Sequence, residues 1–332
     1  MKLIFFLVAF CLVSIRVYFS WSGMDKEKRG ESVANFVISS DNFYEGIKYS
    51  GKFQLTDDET AFKSISPGGY LKFRKNEERV TAESNLQGEI EYTIYDGKNK
   101  LALDEQGRKL IAEAIREMIN WGFDADARME RIYQKGGNRA LLNEVDSMKT
   151  DPVKVLYLDR VFAVDSLSPE DLPELAKKIG TLGTDQDKTR LLNKFSPDQL
   201  KNPLIAQAYF TVVEGMGSDM EKINALQHMM DQDTIQDENA DKILDIAGHM
   251  GSDLDKINLY KKLMEEKTIS ESQWINLLNQ TVKLGSDMDK ANLLVEIAQK
   301  MPRTENLKAT YLTAAKAISD DSDYGKAVRA VE

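Results

Sequence analysis

Two patterns of apolar and polar residues divide the chain. From about Asn42 to Leu103, β-branched and aromatic residues alternate with polar ones in short runs: FYEGIKYSGKFQL (Phe43 to Leu55), GYLKFR (Gly69 to Arg74), ERVTAES (Glu78 to Ser84) and EIEYTIY (Glu89 to Tyr95). That alternation predicts strands with one face buried. Turn chemistry separates them, in TDDET from Thr56, SPGG from Ser66 and YDGKNK from Tyr95, where Asp96-Gly97 predicts a type I′ hairpin turn. The expectation is an antiparallel meander of four to six strands. A cover follows at once: in DEQGRKLIAEAIREMINWG (Asp104 to Gly122), Leu110, Ile111, Ala114, Ile115, Met118 and Ile119 fall on one helical stripe. Asp104 and Glu105 suit the positive end of that helix and Gly122 suits its stop.

After about Asp124 the apolar spacing becomes helical and repeats. Gly183, Gly217, Gly251 and Gly285 stand 34 residues apart. Asp151, Asp185, Asp219, Asp253, Asp287 and Asp321 share one position of this register, and Lys154, Lys188, Lys222, Lys256 and Lys290 another, with Tyr324 in the last copy. Apolar positions recur too, as Met148, Leu182, Met216, Met250, Leu284 and Ile318, and as Leu158, Leu192, Leu226, Tyr260, Leu294 and Val328. Each unit is long enough for two short amphipathic helices that bury their stripes only by stacking on neighbours. Second helices are expected near Pro169 to Leu182, Asp198 to Met216, Asp237 to Met250 and Glu271 to Leu284.

The phrase that punctuates the units reads MGSDMEKIN, MGSDLDKIN and LGSDMDKAN, starting at Met216, Met250 and Leu284. Its glycines are expected to end one helix at a C′ position that favours φ > 0. Thr184, Ser218, Ser252, Ser286 and Asp320 are expected to cap the next. Asp187, Glu221, Asp255, Asp289 and Asp323 stand three residues after the cap, and Ser218 with Glu221 predicts a capping box. Asp219, Asp253 and Asp287 lie in a first turn, where the dipole favours negative charge. A calcium loop needs oxygen ligands at alternate positions around a central glycine. Here the glycine precedes the acids, so no metal site is expected. Asn224, Asn258 and Asn292 occupy one position in adjacent units and are candidates for a polar ladder along one face.

The N-terminus adds an address. Leu3 to Ile15 is thirteen residues without charge, too short to span a hydrocarbon core that needs about 20 residues. It fits a secretory h-region, with Ser20 and Ser22 at the −3 and −1 positions before Gly23. The alternative is an uncleaved tether over residues 3–21 with Arg16 at the interface. Cys11 is the single cysteine and lies in this segment, so a mature chain would hold no disulfide and no thiolate site.

Composition narrows the function classes. The chain has 332 residues, 42% hydrophobic and 30% charged, with a formal net charge of −10. That charge opposes sequence-independent binding to nucleic acid, whose affinity comes from cations neutralising phosphates. There are only two histidines, His228 and His249, neither with a partner at the spacing a metal site or a nucleophile would want. No cofactor motif is present, and no catalytic, cofactor-binding or metal residue is expected.

GKFQLTDDETAFKSISPGGYLKF, followed by EYTIYDGKNKLALDEQGRKLIAEAI, resembles a β-rich segment of uncharacterised bacterial envelope proteins. Some of those regions are associated with membrane metallopeptidases of the β-lactam-sensor type. RMERIYQKGGNRALLNEVDSMKTDPVKVLYL (Arg128 to Leu158) and the SD…K repeats look like the helical part of the same proteins. The peptidase's HExxH is absent, so the resemblance carries over no catalytic residue.

The expected fold is α+β. A signal peptide or anchor (1–22) and a linker (23–41) precede a β-meander domain with its covering helix (42–122), then an α-solenoid (123–332) of about six 34-residue hairpins, comparable to tetratricopeptide or HEAT arrays by analogy only. The expected function is a non-enzymatic scaffold or sensor that binds a protein or peptide partner in the periplasm or cell envelope. The alternative is an envelope hydrolase with a carboxylate site where sheet and solenoid meet, around Arg128 to Asn138.

Overall fold

The computed structural model describes residues 16–21, 33–40, 43–163, 167–230, 237–266 and 268–332. The run 1–15, on which the export signal and the tether were read, lies outside them. Two compact units form: residues through Arg128 with Ser147–Val153, and Met129–Asp146 with Lys154–Glu332. The break thus falls a little after the expected boundary at 122/123, and a short later segment returns to the first unit. Among the described residues no helix is long and apolar enough to cross a membrane.

Among the described residues the first unit holds nine strands: β1 (Arg16–Trp21), β2 (Val33–Ser40), β3 (Phe43–Ser50), β4 (Phe53–Leu55), β5 (Phe62–Ile65), β6 (Tyr70–Lys75), β7 (Glu78–Ser84), β8 (Ile90–Asp96) and β9 (Asn99–Leu101). Seven of them make one antiparallel sheet in the order β1-β2-β3-β6-β7-β8-β9, and β4 and β5 pair separately. Five strands of the large sheet come from the stretch that alternates. The other two lie outside it: β1 falls within the segment read as signal or anchor and β2 within the segment read as linker, each paired along its length in the sheet.

Alternation sorts the two faces. Ile47, Phe73, Val80 and Ile94 face one another across four strands and are all buried. The opposite face carries exposed Lys48, Lys72, Arg74, Arg79, Glu83 and Glu91. Helix α1 (Glu105–Asn120) lies on the apolar face and buries all six residues of the stripe expected for it. Each such side chain removed from water contributes about 1.5–3 kcal/mol. Asp104 caps α1 through the Gly107 N–H at 3.0 Å. Gly122 ends it at φ +89°, where a Cβ would stand 2.9 Å from Val153 Cγ2. Lys149 donates its N–H to Asn120 O at 3.0 Å and its ammonium to Glu117, which also pairs with Lys75 at 3.1 Å. These contacts explain why 147–153 belongs to the sheet unit.

One turn differs from the expectation. Asp96 pairs with Asn99, so the two-residue loop is Gly97-Lys98, with positive φ at Gly97 alone. That is the type II′ pattern, not type I′.

The helical array begins in α2 (Ala125–Val145), which breaks at Gly136 and Gly137. First helices then start at the shared aspartate in every unit: α3 (Asp151–Phe162), α5 (Asp185–Leu192), α8 (Asp219–Met230), α10 (Asp253–Glu266), α12 (Asp287–Lys300) and α14 (Asp321–Arg329). Second helices are α4 (Leu172–Gly180), α7 (Pro203–Glu214), α9 (Asp237–Gly248), α11 (Glu271–Val282) and α13 (Glu305–Ala315). The helix expected over Asp198 to Met216 is split into a single turn, α6 (Pro197–Leu200), and α7, because Pro203 lacks an N–H and Asn202 caps the restart. First helices pack on first helices and second on second, as in α5 on α8 on α10 and α9 on α11 on α13.

The register predicts burial closely. Met148, Leu182, Met216, Met250, Leu284 and Ile318 are buried, as are Leu158, Leu192, Leu226, Tyr260 and Leu294, whereas Val328 in the last unit is half-buried. Tyr209 and Tyr311 occupy one position three units apart, and each donates its hydroxyl to the next first helix, to Ala225 O and Ala327 O, at 2.8 Å.

Candidate functional site

The junction between units is built from the repeated phrase. Ser218, Ser252 and Ser286 accept the N–H of Glu221, Asp255 and Asp289 at 3.3 Å, as Thr184 accepts that of Asp187. The expected caps therefore form. The capping box at Ser218 does not close, because the Ser218 N–H donates to Asp185 Oδ2 at 2.9 Å and not to Glu221.

That aspartate is the element the phrase alone did not disclose. Asp185 Oδ2 also accepts the Gly217 N–H at 2.8 Å. Asp219 accepts Gly251 at 2.7 Å and Ser252 at 3.3 Å, Asp253 accepts Gly285 at 2.6 Å, and Asp287 accepts Ser319 at 2.8 Å and Asp320 at 3.1 Å. The other oxygen faces the lysine three residues on: Lys188 to Asp185 at 2.9 Å, Lys256 to Asp253 and Lys290 to Asp287 at 3.0 Å, and Lys222 to Asp219 at 4.0 Å. Each carboxylate thus clips its own helix to the start of the next unit.

The clip makes three carboxyls more acidic. Burial works against the charge of Asp185, but Lys188 and the two backbone donors outweigh it and hold its carboxyl below the usual range. For Asp253 the Gly285 N–H is the largest cause of the same downward shift, and for Asp287 it is Lys290.

The clip also corrects the role given to the glycines. None of Gly183, Gly217, Gly251 and Gly285 has positive φ. A Cβ on Gly217, Gly251 or Gly285 would meet the clipping carboxylate at 3.8, 3.5 and 3.3 Å. Only at Gly285 is the clearance tight; at Gly217 and Gly251 a methyl would stand at ordinary contact distance from the carboxylate, and none of the four makes a left-handed turn.

A second set of positions faces solvent. Asn224, Asn258 and Asn292 are exposed on α8, α10 and α12. Asn292 Oδ1 accepts from Lys326 Nζ, the same position one unit on, at 2.6 Å. One turn earlier Met220, Leu254 and Met288 are 64, 67 and 58% exposed, unlike Met216, Met229, Met230, Met250 and Met264, which fill the core. Between them Glu221, Asp255 and Asp289 are half-buried and hold no ion pair among the described residues. Sequence reading placed the asparagines and overlooked the apolar column. Its signal was the variable letter of GSDxxK, which is Met, Leu and Met.

The remaining candidates do not converge on a reaction. His228 Nε2 lies 3.0 Å from Phe195 O, and His249 Nδ1 lies 2.8 Å from Asp245 O. Around Arg128 to Asn138, Arg128 is held by Glu59 at 2.9 Å, and Glu130 accepts from Gln134 at 2.7 Å and Arg160 at 2.9 Å. Those bonds, led by Gln134, keep the Glu130 carboxyl acidic, which suits a charge anchor better than a proton carrier. Among the described residues no group of three or more His, Cys, Asp or Glu is arranged to hold a metal ion. No protein-family model matches the chain, and no curated protein matches it either.

Proposed function

We propose that the helical array is a non-enzymatic binding module for a protein or peptide, and that the chain works as a scaffold or sensor in the cell envelope. The observation that carries the binding reading is the threefold recurrence of one set, an exposed apolar residue and an exposed asparagine around a half-buried acid: Met220-Glu221-Asn224, Leu254-Asp255-Asn258 and Met288-Asp289-Asn292. Large apolar side chains left in water at one helical position in three consecutive units form a column that a partner can cover. The envelope reading rests on the Leu3 to Ile15 run and on the resemblance to envelope proteins.

A photo-crosslinking amino acid placed at Asn258 tests the first part in cells of the source organism. A discrete adduct is expected there and not from the same probe at exposed Lys308, on a second helix. Equal labelling from both positions removes the assigned face. Fractionation with mass-spectrometric reading of the N-terminus tests the second part, and a chain starting at Met1 in the cytosol refutes it.

A further inference from the structure

We infer that the occupant of this face is an extended peptide segment in which a basic and an apolar residue recur about every three positions. The inference rests on the binding-module reading and names its partner. Within each first helix the two exposed residues and the half-buried acid form a triangle, since residues three and four apart are neighbours on a helix surface. Met220 and Asn224 are four apart, and Glu221 and Asn224 three apart. The triangle returns on α10 and α12.

The step between triangles sets the partner's conformation. Packed helices lie about 8–10 Å apart, and an extended polyproline II chain rises about 3.1 Å per residue with three residues per turn. Such a segment crossing the first helices therefore turns the same side to the triangle every third residue, whereas a β-strand would turn alternate sides. A helical partner could match that step with its side chains, but its backbone N–H and C=O groups are used internally. An asparagine carboxamide offers both donors and an acceptor, which a peptide unit in an extended chain can satisfy and a helix cannot. Three such carboxamides stand in register and exposed, with the Asn292 oxygen already accepting from Lys326 and its NH2 left to donate.

Charge sets the partner's composition. The lysines nearest the triangles, Lys222, Lys256 and Lys290, are committed to the clips. Glu221, Asp255 and Asp289 hold no ion pair among the described residues, so the column is negative at one-unit intervals and favours Lys or Arg in the partner. The ends of the face are marked. In the asparagine position the preceding unit has Arg190, fixed to Asp159 by two bonds of 3.1 Å, and the following unit has Lys326. The apolar position is Gln186 and Ser322 in those units. Neither end unit offers the apolar and carboxamide pair, although Asp187 and Asp323 continue the acidic position, so the bound segment spans three units, roughly nine residues at three per unit.

The test uses the full chain against a displayed library of random dodecapeptides, with Asn224→Ala/Asn258→Ala/Asn292→Ala as counter-target. A synthetic, fluorescein-labelled peptide of the enriched consensus is then measured by anisotropy. A consensus with Lys or Arg and an apolar residue at a three-residue recurrence is expected. Its affinity should fall at least tenfold in the asparagine variant and in Met220→Ser/Leu254→Ser/Met288→Ser. It should also fall in Glu221→Gln/Asp255→Asn/Asp289→Asn, with each variant's thermal unfolding matching the parent. An acidic consensus, a helical recurrence, or binding indifferent to all three variants overturns the inference and leaves a binding module with another site. If no peptide is enriched and the Asn258 probe gives no adduct, the inference and the function it rests on fall together.

Discussion

Asp219 Oδ2 lies 2.7 Å from the backbone nitrogen of Gly251, across 32 positions of sequence, so the residue that opens one helix also holds the start of the next unit. Four such clips in register make the aspartate a joint of the array as well as a partner of its own helix dipole. Replacing Asp219 by Ala leaves the Gly251 and Ser252 N–H groups without their carboxylate, at a cost of about 1–3 kcal/mol in unfolding free energy. Urea titration checks the total. Hydrogen exchange checks the mechanism, because protection should fall first at Gly251 and Ser252.

The clips make stability depend on acidity with a definite sign. Asp185, Asp253 and Asp287 have folded-state pKa values below the usual carboxylate value. The unfolded chain therefore takes up protons first as pH falls, from about 4 downward. The contribution is complete above that value and is lost as pH drops through the folded pKa values. Thermal unfolding followed between neutral pH and pH 3 should show this loss, and Asp253→Asn should flatten the curve. A parent and a variant with parallel curves would contradict the assignment.

The glycines of the phrase should respond in order. Gly217→Ala places a methyl at ordinary contact distance, 3.8 Å from the carboxylate, with no φ penalty. Its effect should lie within about 0.5 kcal/mol of zero or be stabilising through the unfolded chain. Gly285→Ala, at 3.3 Å, should cost more. Gly122→Ala should cost most, since it meets both φ +89° and Val153. A uniform penalty at Gly217 and Gly122 would restore the left-handed reading of the repeat.

Two buried hydroxyl types should separate. Tyr209→Phe and Tyr311→Phe each remove a 2.8 Å bond to a carbonyl of the next helix and should cost about 0.5–1.5 kcal/mol. Tyr260 is buried and its hydroxyl has no partner among the described residues, so Tyr260→Phe should be neutral or stabilising. Chemical denaturation of the three variants distinguishes them.

Local chemistry made much of this protein legible. The 34-residue register places the first residue of every first helix and, with one half-buried exception at Val328, the residues that fill the core. Caps at Ser218, Ser252 and Ser286 and the buried stripe of α1 followed from periodicity and from the orphan N–H groups of a helix start, both of which depend on residues close in sequence. Strands were equally plain in the runs Phe43 to Leu55, Gly69 to Arg74, Glu78 to Ser84 and Glu89 to Tyr95, whereas Phe62–Ile65 and Asn99–Leu101 lie outside those runs and bring the strands of this stretch to seven. The participation of Val33–Ser40 was not plain, because pairing with β3 is a property of the sheet.

What tertiary structure decided is the offset between neighbouring units. It gives Asp185 the Gly217 and Ser218 N–H groups as partners, leaves the Ser218 box open, and brings the Asp253 carboxylate within 3.3 Å of where a Cβ would stand on Gly285. It also turns Met220, Leu254 and Met288 to solvent on the same surface as the asparagines, although the same residue types at Met216 and Met250 are core. A repeat written in the sequence specifies what each unit contains. How far one unit is displaced from the next comes from packing between helices about 34 residues apart, and that displacement determines both the clip and the exposed face.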